Sequence, residues 1–452
     1  MSRTNVCKGL CLLGVALAVA WAFAADAGAG RLSDSDTAGA LAAQSDELWL
    51  AGMAPAPPPE PDGPAPDGAA PDGAAPADPP DEGLVEIPPA AVAPPPTNQG
   101  LYAMLLGRGP QAGPSPRLAG VPNMFGDFFN LGGDLVATDP IGIATAPLPL
   151  AGASRRVKVA ENNKALPMDR VHFMYNHFHD ALDYNALGFP GGPGRRVFSV
   201  NRFTIAAEKT LMNGLYSVEV RMPFTSEADF NVEFFGISGG DIGNLAVLFK
   251  RLLWQTRTSA AVIGLAIDLP TGSDVDGFVN ELDYTVYNEA VHLGPFAGLL
   301  WAPDRRRFAH AFLQVDVPAS SNSIDFYDNV QLLGGRLGNL PEQTAMYLDV
   351  GAGYWLYRNR RAPRLTGVAA LLEVHYATAL TDASLRTITS PSLTTLRFGN
   401  SANRVDEVNL TVGLHAEYAR NTLFRVAGVF PLRDDDDRSF GSEVQVQVER
   451  RF

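Results

Sequence analysis

Ser442-Glu443-Val444-Gln445-Val446-Gln447-Val448-Glu449-Arg450-Arg451-Phe452 is the stretch on which the fold turns. Val444, Val446, Val448 and Phe452 share one parity, and Glu443, Gln445, Gln447, Glu449 and Arg451 share the other. Successive side chains of a strand point to opposite faces, so period two means a strand with one apolar and one polar face. Arg450 falls on the apolar side, near enough to the strand end to snorkel to an interface. A second segment repeats the pattern: Val408, Leu410, Val412, Leu414, Ala416 and Tyr418 oppose Glu407, Asn409, Thr411, His415 and Glu417. In a soluble sandwich the apolar face meets a core. In a membrane barrel it meets lipid, and the polar face lines the lumen.

Connection lengths separate these two cases. Alternating segments fall near 167–177, 197–209, 215–224, 242–253, 259–269, 291–301, 307–317, 345–357, 364–378, 406–419, 422–431 and 441–452. Each is close to the ~9–11 residues a tilted membrane strand needs, and no apolar run among them reaches helix-spanning length. Short connections (Thr210–Gly214, Trp254–Thr258, Ala302–Arg306, Arg358–Pro363, Arg420–Asn421) alternate with long ones near 178–196, 225–241, 270–290, 318–344 and 379–405, and a shorter one at 432–440. Short turns at one end and long loops at the other describe an antiparallel up-and-down barrel of about twelve strands. Trp254, Trp301, Trp355, Tyr357 and Tyr418 fall beside short turns, and Phe224 and Phe430 at the opposite ends, as two aromatic girdles would.

The N-terminal residues imply export. Arg3 and Lys8 precede an apolar run from Gly9 to Ala22, and Ala22-Phe23-Ala24 offers small residues for cleavage, so residues 1–24 read as a signal peptide. Both cysteines, Cys7 and Cys11, would leave with it, so no disulfide or thiolate chemistry is expected. Residues 25–100 hold thirteen Asp or Glu against Arg31 alone, and residues 51–100 contain sixteen prolines. Such a composition cannot bury enough apolar surface to offset chain entropy, so a disordered acidic Pro/Ala/Asp-rich linker is expected, with Glu47–Leu50 as one transient turn. Residues 101–166, with the aromatic cluster Asn123-Met124-Phe125-Gly126-Asp127-Phe128-Phe129, read as either a periplasmic collar or an inward-folded plug, and residues 167–452 as the barrel.

Asp241-Ile242-Gly243-Asn244-Leu245, Phe249-Lys250-Arg251 and Ala266-Ile267-Asp268-Leu269-Pro270-Thr271-Gly272 resemble the hairpin of outer-membrane transporters assigned to phenol-degradation pathways. Gly294-Pro295-Phe296-Ala297-Gly298, Phe312-Leu313-Gln314-Val315-Asp316-Val317-Pro318 and the ending at Phe452 are similar to planctomycete-type outer-membrane barrel proteins. The resemblance spans roughly residues 167 to 452 and implies an outer-membrane channel or transporter. The Pro-rich arm departs from the phenol-pathway pattern. A terminal Phe on an alternating strand also resembles the signal read by the barrel-insertion machinery, which makes Phe452 the expected assembly signal.

Catalytic motifs are sparse. No zinc motif, P-loop or dinucleotide fingerprint is visible, no phospholipase-type Ser, His and Asn motif is present, and clustered Lys and Arg of a nucleic-acid footprint are lacking. His177, His179, Asp180 and Asp183 just past the first strand form a polar cluster that could bind a metal or move protons, though a polar loop base is the plainer reading. No cofactor is expected. Strand parity assigns to the lumen Arg170, His172, Arg202, Glu208, Glu219, Arg221, Lys250, Asp268, His310, Gln314, Asp316, Asp349, Glu373, His375, Glu407, His415, Glu417, Arg425, Glu443, Gln447 and Glu449. Eight strands are just filled by side chains and sixteen leave a channel, so twelve admits either an open or a filled interior. The expected function is passage of small molecules with weak ion selectivity. The alternatives are a structural barrel tied to peptidoglycan by residues 25–100, and a barrel lipase or protease. The expected partners are outer-membrane lipid and the insertion machinery.

The short turns carry Arg257, Arg305, Arg306, Arg358, Arg360, Arg361 and Arg420, and the long loops carry Asp274, Asp276, Glu281, Asp283, Asp325, Asp328 and the run Asp434 to Asp437. That run could bridge a divalent cation, a solvated loop being the plainer reading. Loop length and the chain ends predict periplasmic termini. An epitope inserted between Asp435 and Asp436 is expected to be reached by antibody on intact cells, and one between Arg360 and Arg361 only after the outer membrane is opened. The reverse labelling overturns the topology.

Overall fold

A computed structural model describes residues 115–128, 133–140, 142–148, 156–186, 194–226, 229–232, 234–239, 241–434 and 437–452. All belong to one compact unit, Asn98–Phe452. The signal peptide, the acidic arm, the turn at 47–50 and Asp435–Asp436 lie outside the described residues.

Twelve antiparallel strands form the wall: β1 (Arg170–Ala186), β2 (Gly194–Leu211), β3 (Tyr216–Ser226), β4 (Leu245–Gln255), β5 (Ser259–Leu269), β6 (His292–Trp301), β7 (Arg307–Pro318), β8 (Ala345–Arg358), β9 (Leu365–Ala379), β10 (Asp406–Tyr418), β11 (Thr422–Pro431) and β12 (Ser442–Arg451). Each pairs with its chain neighbour, and β12 pairs with β1, setting Val446 opposite Tyr175 and Glu449 opposite His172. The ring is therefore closed and has no edge, which lets every wall amide find a partner without water. Among the described residues no helix is long and apolar enough to cross a membrane.

The alternation read in the sequence becomes two faces. Val412, Leu414, Val426, Val444 and Val446 are each more than 40% exposed and point outward, whereas Thr411, Gln445, Gln447 and Glu449 are fully buried. Short turns join β2–β3, β4–β5, β6–β7, β8–β9 and β10–β11. In one of them the Asp304 carboxylate accepts the backbone N–H groups of Arg306 and Arg307, each at 2.8 Å. Those bonds, from Arg307 and then Arg306, draw its pKa down to about 2. One girdle residue is corrected here. A bulge between Trp355 and Tyr357 shifts the register of β8 on β9, so Trp355 turns inward and is buried while Tyr357 stays outside.

The long connections are themselves folded. Phe230–Val232, Phe235–Gly239, Val275–Val279, Leu282–Val286, Asn322–Asp328 and Leu333–Leu340 make a six-stranded antiparallel sheet. A hairpin of Asp134–Asp139 and Gly142–Pro147 pairs with Thr395–Gly399, which pairs in turn with Arg386–Thr389. Phe235, Ile237, Val275, Leu282, Tyr284, Leu135, Ala144 and Phe398 share one apolar core over the long-loop end, so that end is capped by packed sheet. The expected loop at 178–196 is corrected: β1 runs to Ala186 and β2 starts at Gly194. His177, His179, Asp180 and Asp183 thus lie on β1 itself, at a bulge between Phe178 and Leu182, and not past its end. His179 and Asp180 face each other at 3.4 Å, and Asp183 holds Arg195 at 2.7 Å, all largely exposed.

Arg placed on the lipid face near the midplane costs about 2–4 kcal/mol. Val446→Arg and Val412→Arg should therefore impair assembly, read as loss of the folded band on unheated gels. Parity alone predicts that Gln447→Arg and Thr411→Arg are tolerated. Burial of both side chains revises this: each should insert and keep the folded band but expose the interior segment described below to protease. Equal loss of the folded band in all four variants overturns the face assignment.

Candidate functional site

The polar faces of the wall do not meet one another across an empty lumen. They grip a chain segment that enters at the short-turn rim, climbs, and returns. At the rim, a single helical turn, Pro116–Ala119, is tied down as Arg117 donates to Pro303 O (2.9 Å), Arg360 to Pro116 O (3.1 Å) and Arg358 to Gly120 O (3.2 Å). Residues 121–128 ascend. Glu373 on β9 accepts the N–H groups of Phe125 (2.8 Å) and Gly126 (3.0 Å). Arg425 on β11 donates to Asn123 O (2.5 Å) and Met124 O (3.2 Å) and lies 4.0 Å from the Phe125 ring centroid. Gln445 and Gln447 donate to Gly126 O and Phe125 O. The chain then forms the hairpin at 134–147 in the long-loop cap and descends through residues 156–169 into β1.

The descending leg is held in the same way. Asp268 accepts Val157 N, the Gln314 amide brackets Val159 N and Val157 O at 2.8 and 2.7 Å, and Lys250 donates to Asn163 Oδ1 at 2.8 Å. The two legs bond each other, Met124 N to Asn163 O (2.7 Å) and Asn162 N to Phe125 O (3.0 Å). Gly126 at φ 76° is required here, since a Cβ would sit 2.6 Å from Glu161 Cα. Irregular backbone is tolerated inside a membrane barrel only where its polar groups are bonded, and the wall's polar side chains supply those bonds.

Three ionic networks result. Near the short-turn end Arg170 meets Glu208 (2.7 Å), Glu219 (3.2 Å) and Glu449 (3.0 Å), with Lys250 on Glu208 and Arg221 on Glu219. Near the long-loop end Arg156 meets Asp316 (3.2 Å) and Glu342 (3.3 Å), and His292 lies 3.1 Å from Asp316. Between them the Lys158 ammonium is bonded to Asp127 and lies 2.8 Å from Asp349. His375 Nδ1 is 2.7 Å from Asp349 and 3.3 Å from Asp127, and Asn409 donates to Asp127 at 2.6 Å. Asp127, Asp349 and His375 place their donor atoms within 4.8 Å of one another, a spacing that could hold a cation. The cation seated there is Lys158.

The expected interior residues are distributed unevenly over these networks. Arg170, Glu219, Arg221, Lys250 and Glu449 join the first, Asp316 the second, and Asp349 and His375 the third. Glu373, Arg425 and Gln447 bond the segment backbone, and Arg202 pairs with Glu161 of the descending leg. His172 lies 3.7 Å from Glu219, and His310 and His415 pack edge-on against Phe308 and Trp355. Glu443 accepts Asn176 at 2.6 Å, Thr366 donates to the backbone oxygen of buried Glu417, and Ser439 donates to half-buried Glu407. Phe452 is 78% exposed at the short-turn rim, its N–H bonded to Asp169 O. Asp127, Arg156, Lys158, Glu161 and Lys164 were not among the expected site residues. The charged run Arg155-Arg156-Val157-Lys158 ahead of the first strand signals two of them, and the aromatic cluster at 123–129 holds Asp127.

Beneath the cap lies a cavity of about 730 Å³ whose floor includes Asp127, Lys158 and Tyr347 and whose walls include Glu342, Asp180 and Glu407. A second void, between the descending leg and β2–β5, holds only about 20 Å³.

No family model matches the chain, and no curated protein matches it. Among solved structures the chain is similar to an outer membrane channel from Pseudomonas putida F1, at 10% identity and TM-score 0.39 over 64% of this chain and 97% of that one. It is similar to the CymD monoaromatic hydrocarbon channel at 10% identity and TM-score 0.37, over 72% and 99%. It is similar to the NanC porin at 8% identity and TM-score 0.34, over 63% and 98%. Likenesses of this size leave substrate and mechanism to the chain's own residues.

Proposed function

We propose that this protein is an outer-membrane channel or transporter for small molecules that rests with its lumen shut by residues 115–128 and 156–169. Its apolar outer face meets lipid, its short turns and both chain ends face the periplasm, and its cap faces outward. The observation that carries the reading is the manner of filling. The lumen is stopped by a segment bonded to the wall through side chains, and a cavity the size of a small-molecule pocket opens above it. Wall side chains that simply met each other would leave nothing to move. Displacing the segment opens a route lined by Arg170, Arg202, Lys250, Glu373, Arg425 and Glu449. Both signs are present along it, which supports weak ion selectivity. A structural barrel linked to the cell wall is the second reading, favoured by the density of buried ion pairs.

Single-channel recording on the full chain tests the proposal. Each hydrogen bond to a charged group contributes about 1.5–3 kcal/mol, and 1.4 kcal/mol is tenfold in an equilibrium. Glu373→Ala with Arg425→Ala removes the bonds that hold the N–H groups of Phe125 and Gly126 and the carbonyls of Asn123 and Met124. The wild-type protein should conduct rarely, and the double variant should raise open time at least about tenfold. A folded double variant that is as silent as wild type in several lipids favours the structural reading and overturns the channel.

A further inference from the structure

Lys158 is more than a strut. Lys158 lines the cavity under the cap, and Asp127, one of the two carboxylates that hold its ammonium, lines the same cavity. The second carboxylate, Asp349, belongs to the wall, as does His375 beside it. The segment thus supplies its own cation to an acceptor pair of which one member, Asp127, faces the solute's side of the barrier and the other, Asp349, lies just behind it.

The rest of the cavity has the same bias. Its lining holds six carboxylates, on Asp127, Asp134, Asp180, Asp183, Glu342 and Glu407, against four basic side chains, on Arg156, Lys158, Arg195 and Arg438. Three of those four are already engaged by carboxylates: Arg195 by Asp183 (2.7 Å), Arg156 by Asp316 and Glu342, and Lys158 by Asp127 and Asp349. Asp316 and Asp349 lie just behind the lining, each with a histidine against it, His292 at 3.1 Å and His375 at 2.7 Å, so the excess of carboxylates is carried by the lining itself. A bound anion would face this excess at short range, and an apolar ring would strip water from charged groups without replacing their hydrogen bonds. An ammonium group meets neither cost, and three N–H donors suit carboxylates offered from several directions.

We infer that the cavity is a recognition site for small organic cations bearing a primary ammonium, and that such a solute competes with Lys158 for Asp127 and Asp349. The inference rests on the channel reading and names its substrate class. Competition at this point would loosen the descending leg from the wall, so binding and opening share one pair of carboxylates.

Chemical rescue tests the site directly. Lys158→Ala removes three carbons and the ammonium, which n-propylammonium restores. The full chain carrying Lys158→Ala, in detergent, should melt at a lower temperature than wild type. Millimolar n-propylammonium should recover at least half of that difference, and tetramethylammonium, sodium or magnesium at equal charge should not. In the wild type, L-lysine titrated calorimetrically should bind at least tenfold more tightly than L-glutamate, and Asp127→Asn with Asp349→Asn should abolish that preference. Rescue by all cations alike, or equal binding of lysine and glutamate, overturns the inference. If Lys158→Ala does not fold, the wild-type titration decides alone. These are binding readouts: a conducting barrel that shows no lysine preference keeps the channel reading and loses this one, and a silent barrel that binds lysine does the reverse.

Discussion

The seam between β12 and β1 is the constraint on which the molecule depends. Ten register pairs, from Ser442–His179 to Arg451–Arg170, turn an open sheet into a ring. In lipid an unbonded backbone group costs several kcal/mol, so a sheet with two free edges could not persist where this one must sit. Closure fixes which parity faces outward, and it forces the opposite parity, rich in Arg, Glu and His, into a confined interior. That interior then needs partners of its own.

Those partners come partly from the wall itself and partly from the chain ahead of the barrel. Buried charges are tolerated when paired and hydrogen-bonded, and the first ionic network draws on five strands to surround Arg170. The ascending leg brings little charge and much backbone, and the wall answers with Glu373, Arg425, Gln445 and Gln447. The descending leg brings Arg156, Lys158 and Glu161, and the wall answers with Asp316, Asp349 and Arg202. Wall and segment are complementary in kind: neither would be satisfied facing water-free space alone.

Much of the wall could be read in the sequence because lipid on one side and polar contacts on the other impose period two on each strand. The last strand shows this most plainly, and the alternation of short and long connections matches the up-and-down order of the twelve strands. Trp355 was misplaced because a bulge moves one residue across the sheet without leaving a mark in composition. The interior segment is legible in the sequence only as one of two readings of residues 101–166, a collar or an inward-folded plug, and its contacts are not legible at all. Its conformation is set by side chains hundreds of residues away, so Asp127 and Lys158 sit in no period of their own. The cap escaped for the same cause: Leu135 faces Phe398 across the sheet, and no local pattern links two stretches so far apart.

The path of residues 115–169 has a consequence for how the protein is made. A chain that rises through a ring, spreads into a hairpin broader than a single strand, and comes back to become that ring's first strand cannot be drawn through after the ring is finished and filled. The hairpin at 134–147 is bonded to Thr395–Gly399, so the start of the described chain and a stretch late in the barrel sequence complete each other. Ring and contents are therefore finished as one object: the pairing of β12 with β1 encloses a doubled-back segment whose own hairpin is held by the wall's later connections.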